Sequence, residues 1–308
     1  MYFPTANLEI SWYIPPLVAF GISFFTSMGG VSGAFLLLPF QMSILGYTSP
    51  SVSATNQVFN IVAIPSGVYR YWKEGRMVWP LTLLVILGTL PGVFLGAIIR
   101  VIYLPDPRNF KFFAGLVLAY IGLKMVKELN KQKLSTSEKK FENLVRSFKE
   151  KSQRKNLPGT KVIAFNWKKL AYSFYGEEFE VSFWGIFTLT FMVGIIGGIY
   201  GIGGGAIIAP FLVTFFELPV YTIAGAALMG TFVTSIAGVI FYQLLAPFYP
   251  HLSVAPDWRL GLLFGLGGMA GIYLGARCQK YIPAKFIKII LILTIFITAL
   301  KYILNFLI

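Results

Sequence analysis

The sequence predicts an all-α membrane protein built from two inverted-topology repeats, each a glycine-broken helical hairpin followed by three transmembrane helices. Three observations predict it. Apolar runs near membrane-spanning length recur along the chain, two blocks repeat each other at fixed offsets, and each block opens on an apolar stretch too long for one crossing.

The first observation is compositional. Of 308 residues, 56% are hydrophobic and 12% charged, whereas a soluble domain carries roughly 25% charged residues. Runs of about 20 apolar residues recur from Ile14 to Ile308, the length that crosses a hydrocarbon core roughly 30 Å thick. Met1 to Tyr13 holds no Lys or Arg, and no small-residue cleavage site follows, so the first apolar stretch reads as a helix and the chain as mature from Met1. Cys278 and His251 each stand alone, which leaves no cysteine cluster, no intrachain disulfide and no cofactor site to build.

The second observation is repetition. Gly33, Pro39, Phe40 and Gly67 match Gly204, Pro210, Phe211 and Gly238 at an offset of 171, and Leu95-Gly96-Ala97 matches Leu274-Gly275-Ala276 at 179. The division expected is a first transmembrane repeat at 1–127, a basic linker at 128–180 and a second repeat at 181–308. Plain helices are expected at 50–71, 77–101 and 109–127, then at 220–243, 258–279 and 284–307.

The third observation concerns the openings. Val181 to Phe216 would extend about 54 Å as a straight helix, so it must bend back or break. Gly197-Gly198, Gly201 and Gly203-Gly204-Gly205 mark the break, and Gly29-Gly30 with Gly33 is the counterpart.

Between Lys127 and Lys169 lie 13 of the 26 basic residues, which by the positive-inside rule makes this linker cytoplasmic. It lacks the folded basic and aromatic platform of a nucleic-acid binder. Ser135-Thr136-Ser137-Glu138 offers a capping box, with Phe141, Leu144, Val145 and Phe148 on one face of a short amphipathic helix. Arg70, Lys73 and Arg76, then Arg277, Lys280, Lys285 and Lys288, fall inside with the linker; Arg100, Arg108 and Lys111 are left outside against the trend. The equivalent loops of the two halves thereby face opposite sides.

Gly-rich interruptions at matching places in two halves point to a transport site near the midplane. A break frees backbone N–H groups that an anion can satisfy at a half-helix N-terminus; alternatively, the glycines only permit tight helix packing. Behind the breaks lie Ser53, Thr55, Asn56, Gln57 and Asn60, then Thr231, Thr234 and Ser235, which either bind substrate or join helices. Gln41 and Gln243 are weaker candidates. No acidic residue falls at mid-span, which favours anions over cations and leaves an intramembrane enzyme without an acid or base.

Gly201-Ile202-Gly203-Gly204-Gly205-Ala206-Ile207-Ile208-Ala209-Pro210, Pro91-Gly92-Val93-Phe94-Leu95-Gly96-Ala97 and Gly271-Ile272-Tyr273-Leu274-Gly275-Ala276-Arg277 closely resemble the TauE/SafE family of sulfite exporters. The resemblance covers both apolar blocks. It implies a transporter or facilitator of a small sulfur-containing anion such as sulfite or a sulfonate in the cell membrane, with Ser32, Gly33, Thr55, Asn56 and Gln57 facing Gly203, Gly204 and Gly205 around the site. The chain departs from the family pattern at Met28-Gly29-Gly30-Val31-Ser32-Gly33 and at Ala224-Gly225-Ala226-Ala227. An anion channel of the same architecture is the rival expectation.

Overall fold

The computed structural model describes residues 1–29, 32–73, 77–130, 160–174, 177–218, 220–278 and 284–307. A short hairpin, β1 (Tyr2–Phe3) and β2 (Leu8–Glu9), precedes α1 (Ile14–Gly29), α2 (Ala34–Ser43), α3 (Ser51–Ala63), α4 (Pro65–Lys73), α5 (Trp79–Ile102) and α6 (Pro107–Asn130). Strands β3 (Thr160–Phe165), β4 (Lys169–Phe174) and β5 (Glu177–Ser182) lead into α7 (Phe183–Tyr200), a 3-10 turn (Gly204–Ile207) and α8 (Ile208–Phe216). The chain closes with α9 (Val220–Leu245), α10 (Trp258–Cys278) and α11 (Ala284–Leu307). Among the described residues, five helical stretches are long and apolar enough to span a membrane: 79–102, 107–127, 183–200, 222–248 and 287–307.

Two expectations need correction. The chain is mostly helical rather than all-α, because β3, β4 and β5 form an antiparallel sheet in the order β3-β4-β5. Alternation made it: Leu170, Tyr172 and Phe174 point to one side of β4 and are fully buried, a period-two pattern that a helical reading passes over. Asn166 closes the first turn by accepting from the N–H groups of Lys168 and Lys169 at 3.0 and 2.9 Å. Burial pushes the Tyr172 phenol up to about 12, so it stays neutral. The helix expected at 50–71 is also two helices, since Pro65 has no N–H to continue the ladder and disfavours helical backbone at Ile64. The amphipathic helix expected after Ser135 lies outside the described residues.

The two blocks pack through glycine tracks. Along α5, a Cβ added at Gly88, Gly92 or Gly96 would lie 3.0, 2.3 and 2.3 Å from the carbonyl oxygens of Phe187, Phe191 and Ile195 on α7. Along α10, a Cβ at Gly267, Gly271 or Gly275 would lie 2.0, 2.4 and 2.4 Å from those of Pro16, Phe20 and Phe24 on α1. Shifting the glycines by 179 and their partners by 171 turns the first set into the second. In both, a long helix of one block, α5 or α10, presses on the entry helix of the other, α7 or α1, with small residues letting the backbones touch.

Contact registers give the helix directions. α5 runs parallel to α7 through the contacts above, and parallel to α9 through Val85 with Gly230 and Phe94 with Phe241. α10 runs parallel to α1 and, through Val58 with Gly261 and Val62 with Gly265, parallel to α3. α3 and α9 are antiparallel: Gln57 meets Gly238, and Asn60 bonds Ser235.

Gly92→Leu is expected to abolish the folded protein, because the added side chain would collide with α7 backbone that cannot move aside alone. Gly21, with nothing within 4 Å of an added Cβ, is the control: Gly21→Ala is expected to gain about 0.5–1 kcal/mol from helix propensity. Size-exclusion profiles and thermal unfolding in detergent read both.

Candidate functional site

The long apolar stretch breaks where its glycines predict. After Tyr200 the chain turns through Gly201 at φ 79° and Gly203 at φ 73° before the 3-10 turn begins at Gly204. Gly201, with ψ 26°, is in the left-handed helical region, where a side chain costs about 1–2 kcal/mol, and Gly203, with ψ 155°, is in an extended positive-φ region that essentially only glycine adopts. A Cβ on Gly201 would in addition lie 2.2 Å from Ser53 O, and one on Gly205 would lie 2.1 Å from Ala227 O. The break is thus clasped between α3 and α9.

Ending a helix inside the bilayer strands backbone carbonyls, each of which must find a donor. Side chains supply them. Gly198 O accepts from Tyr242 Oη at 3.0 Å and Ile199 O from Ser53 Oγ at 2.9 Å. Gly201 O accepts from Asn56 Nδ2 at 3.2 Å, and Ile202 O from Asn60 Nδ2 at 3.0 Å. Ser53, Asn56 and Asn60 are spaced i, i+3, i+7, so a single face of α3 meets the break. On the far side, Gly204 N–H donates to Thr234 Oγ1 at 3.0 Å.

The first break is tied to the same residue. Asn56 Nδ2 also donates to Ala34 O at 3.1 Å, and its Oδ1 accepts from Gln41 Nε2 at 3.3 Å. One buried amide therefore bridges the start of α2 and the end of α7. Ser32 Oγ accepts from Ala34 N–H at 3.3 Å, and Gly33 admits Ser23, whose Oγ would lie 2.7 Å from an added Cβ. Pro39 leaves the carbonyl four residues back without its helical donor; that carbonyl, Phe35 O, accepts from Tyr200 Oη at 2.9 Å.

Not every predicted residue joins. Gly203, Gly204, Gly205, Asn56, Asn60, Thr231 and Thr234 surround the second break, and Ser32 and Gly33 sit across Asn56 from it. Thr55 lies elsewhere, in a chain of hydroxyls at the start of α3. Asp257 N–H meets Thr55 Oγ1 at 2.9 Å, which bonds Tyr47 Oη at 2.9 Å; Tyr47 donates to Ser51 at 2.8 Å, and Ser51 bonds Ser253 at 3.0 Å. The chain begins on an amide N–H and ends on Thr5 O, so it locks loops together and offers no proton acceptor.

Gln57 is the exception within the bundle. Its side chain is fully buried over Gly238, and neither Oε1 nor Nε2 has a hydrogen-bond partner among the described residues. Asn60 Oδ1 and Gln41 Oε1 are likewise unpartnered. The residue 171 positions after Gln57 is Leu228, and it faces Gly67 as Gln57 faces Gly238. The repeat thus places leucine in one half and an unsatisfied amide in the other.

Sequence reasoning missed Tyr200 and Tyr242, whose hydroxyls act as caps, and Gln41, a weaker candidate in the sequence, donates to Asn56. The Pro39 signal points to an orphan carbonyl but not to its donor. Arg100, left on the outer side of the membrane by the loop count, is fully buried within the protein. Its guanidinium lies 3.7 Å from the centre of the Phe110 ring and donates to Leu104 O and to Thr48 O, so the end of α5 holds the loop before α3.

The family model described as "Sulfite exporter TauE/SafE" matches residues 16–302. The "Probable membrane transporter protein YunE" of Bacillus subtilis (strain 168) is 22% identical over 275 residues, covering 86% of this chain and 87% of its own. A "Probable membrane transporter protein" of Xylella fastidiosa (strain 9a5c) is 22% identical over 260 residues, with 82% and 79% covered. The "Probable membrane transporter protein YdhB" of Bacillus subtilis (strain 168) is 28% identical over 116 residues, 37% of this chain and 44% of that one. No solved structure matches the chain. With the match spanning both breaks and the helices that clasp them, this chain is a multi-pass membrane transporter belonging to the TauE/SafE sulfite exporter family.

Proposed function

We propose that the protein exports sulfite, an organosulfonate or a related small sulfur-containing anion across the cell membrane by alternating access of two inverted halves. The observation that carries this is Gln57. A buried amide with four unused hydrogen-bonding positions costs about 1–3 kcal/mol, and its symmetry mate Leu228 shows that the fold does not require it. A polar ligand arriving between α3 and α9 would repay that cost.

The helix directions support inversion. α7 is parallel to α5 and α9, α9 is antiparallel to α3, and α3 and α1 are both parallel to α10. Entry helices α1 and α7 therefore run opposite ways, as in secondary transporters that bind substrate between broken helices. The linker lies on the cytoplasmic side in this reading. The binding set is Ser32, Gly33, Asn56, Gln57, Asn60, Gly203, Gly204, Gly205, Thr231 and Thr234, with Thr55 at its margin; the Asn56 and Asn60 amides and the Gly204 N–H are spent holding the breaks together, so Gln57 supplies the free amide, in a set without a charged side chain. A Cβ added at Gly204 would lie 2.4 Å from Thr89 Cβ and one at Gly205 2.1 Å from Ala227 O; backbone packed this closely around the second break supports a carrier over an open channel.

Proteoliposomes loaded in turn with radiolabelled sulfite, sulfoacetate, taurine and thiosulfate test the substrate. Saturable efflux of one or more is expected; flat traces for all four would remove the assignment, and currents that never saturate would favour a channel.

A further inference from the structure

Arg108 and Lys111 break the charge bias of the loops, and transport as read above makes no use of them. They flank a cavity of about 250 Å³ lined by Pro107, Arg108, Lys111, Tyr302, Asn305 and Phe306, between the start of α6 and the end of α11. Both helices contribute membrane-length apolar spans, 107–127 and 287–307, so their ends sit at headgroup level.

No carboxylate lies within ion-pair distance of either cation among the described residues. Arg108 spends one Nη on Phe306 O at 2.8 Å and lies 5.6 Å from the centre of the Phe306 ring. That anchors the guanidinium at the rim while leaving donors over. The nearby acid, Asp106, turns its Oδ1 to the N–H groups of Arg108 and Asn109 at 2.6 and 3.4 Å, so it caps α6 instead of neutralising the cations. The floor is aromatic. Tyr302 is buried with its hydroxyl directed away to Ser43 Oγ at 2.8 Å and Pro39 O at 3.3 Å, and Phe306 stacks on Phe112 at 4.3 Å.

Two cations over an aromatic floor at the membrane surface suit an anionic group joined to something apolar. The volume is below the roughly 300–1,000 Å³ of a site that encloses a whole small molecule. We propose that this cavity is a headgroup site for an anionic glycerophospholipid, with Arg108 and Lys111 on its phosphodiester and the acyl chains running down the α6–α11 seam. The bound lipid would also bridge α6 to α11 and supply the counter-charge for the two cations.

Native mass spectrometry of the full chain in detergent, with phosphatidylglycerol or phosphatidylcholine of matched acyl chains, tests it. Wild type should retain phosphatidylglycerol several-fold better, R108Q/K111Q should lose that preference, and K111Q alone should weaken it, which keeps the test decisive if loss of the Arg108 cap impairs folding. Inorganic phosphate at millimolar concentration should leave the lipid bound. Equal retention of the two lipids, or a preference unchanged in K111Q and the double variant, overturns the proposal; complete displacement by inorganic phosphate overturns the lipid assignment in favour of a free-ion site.

Discussion

Asn56→Leu is expected to reduce transport to background and to lower stability by about 2–4 kcal/mol. The estimate comes from what the amide does. Its Nδ2 serves Ala34 O and Gly201 O, and its Oδ1 holds Gln41. Interhelical hydrogen bonds in membranes contribute about 0.6–2 kcal/mol each, and a carbonyl abandoned in a buried, water-free interior adds its own penalty. Both breaks lose an anchor at once, so the geometry that positions Gly203 to Gly205 against α3 should relax as well. Asn56→Asp keeps the size and an acceptor for Gln41 but donates to neither carbonyl when ionised and to one at most when protonated, so it should fail too. Thermal unfolding in detergent and anion efflux from proteoliposomes measure both variants. Wild-type values in both assays would show that the bridge carries neither fold nor function.

Gln57→Leu is expected to move the two readouts in opposite directions. Removing an unsatisfied buried amide should stabilise the protein by about 1–3 kcal/mol, and the repeat itself provides the precedent, since Leu228 already occupies the matching place over Gly67. Transport should fall at least about tenfold, equivalent to losing ~1.4 kcal/mol of interaction with the moving anion. Stability exchanged for activity at one residue is the pattern of a functional site. A purely structural glutamine would instead destabilise when replaced, and a variant both more stable and fully active would remove Gln57 from the site.

Much of the scaffold was legible because its causes are local or repeated. Glycine clusters mark the break after Tyr200 in the sequence itself, and the offsets of 171 and 179 reappear as equivalent backbone contacts. Helix limits at α5, α9, α10 and α11 fell within a few residues of expectation. The split at Pro65 was also readable, since proline lacks the donor that a continuous helix needs. Less was legible where a residue's role depends on what lies across the bundle. Asn56 and Asn60 read as candidate ligands for an anion, yet their donors are committed to carbonyls at the second break, and no spacing rule reveals that. Tyr200 and Tyr242 blend into an apolar background because hydrophobic patterning counts the ring and ignores the hydroxyl. Arg100 followed the general preference of arginine for helix ends at the interface, but the loop before α3 folds over it. The sheet was hidden by the charge of its surroundings, which drew the reading toward a linker.

Transport by two inverted halves requires the two entry hairpins to come from opposite faces of the membrane, so that the interruptions meet at a shared site. In a Cys278→Ser background, a single cysteine at Trp12, before α1, or at Trp184, at the start of α7, places an exposed thiol beside each entry. Labelling with a membrane-impermeant maleimide in intact and permeabilised cells reports the side. With inverted halves, the Trp12 position is expected to label in intact cells and the Trp184 position only after permeabilisation; labelling of both from the same side would contradict inversion.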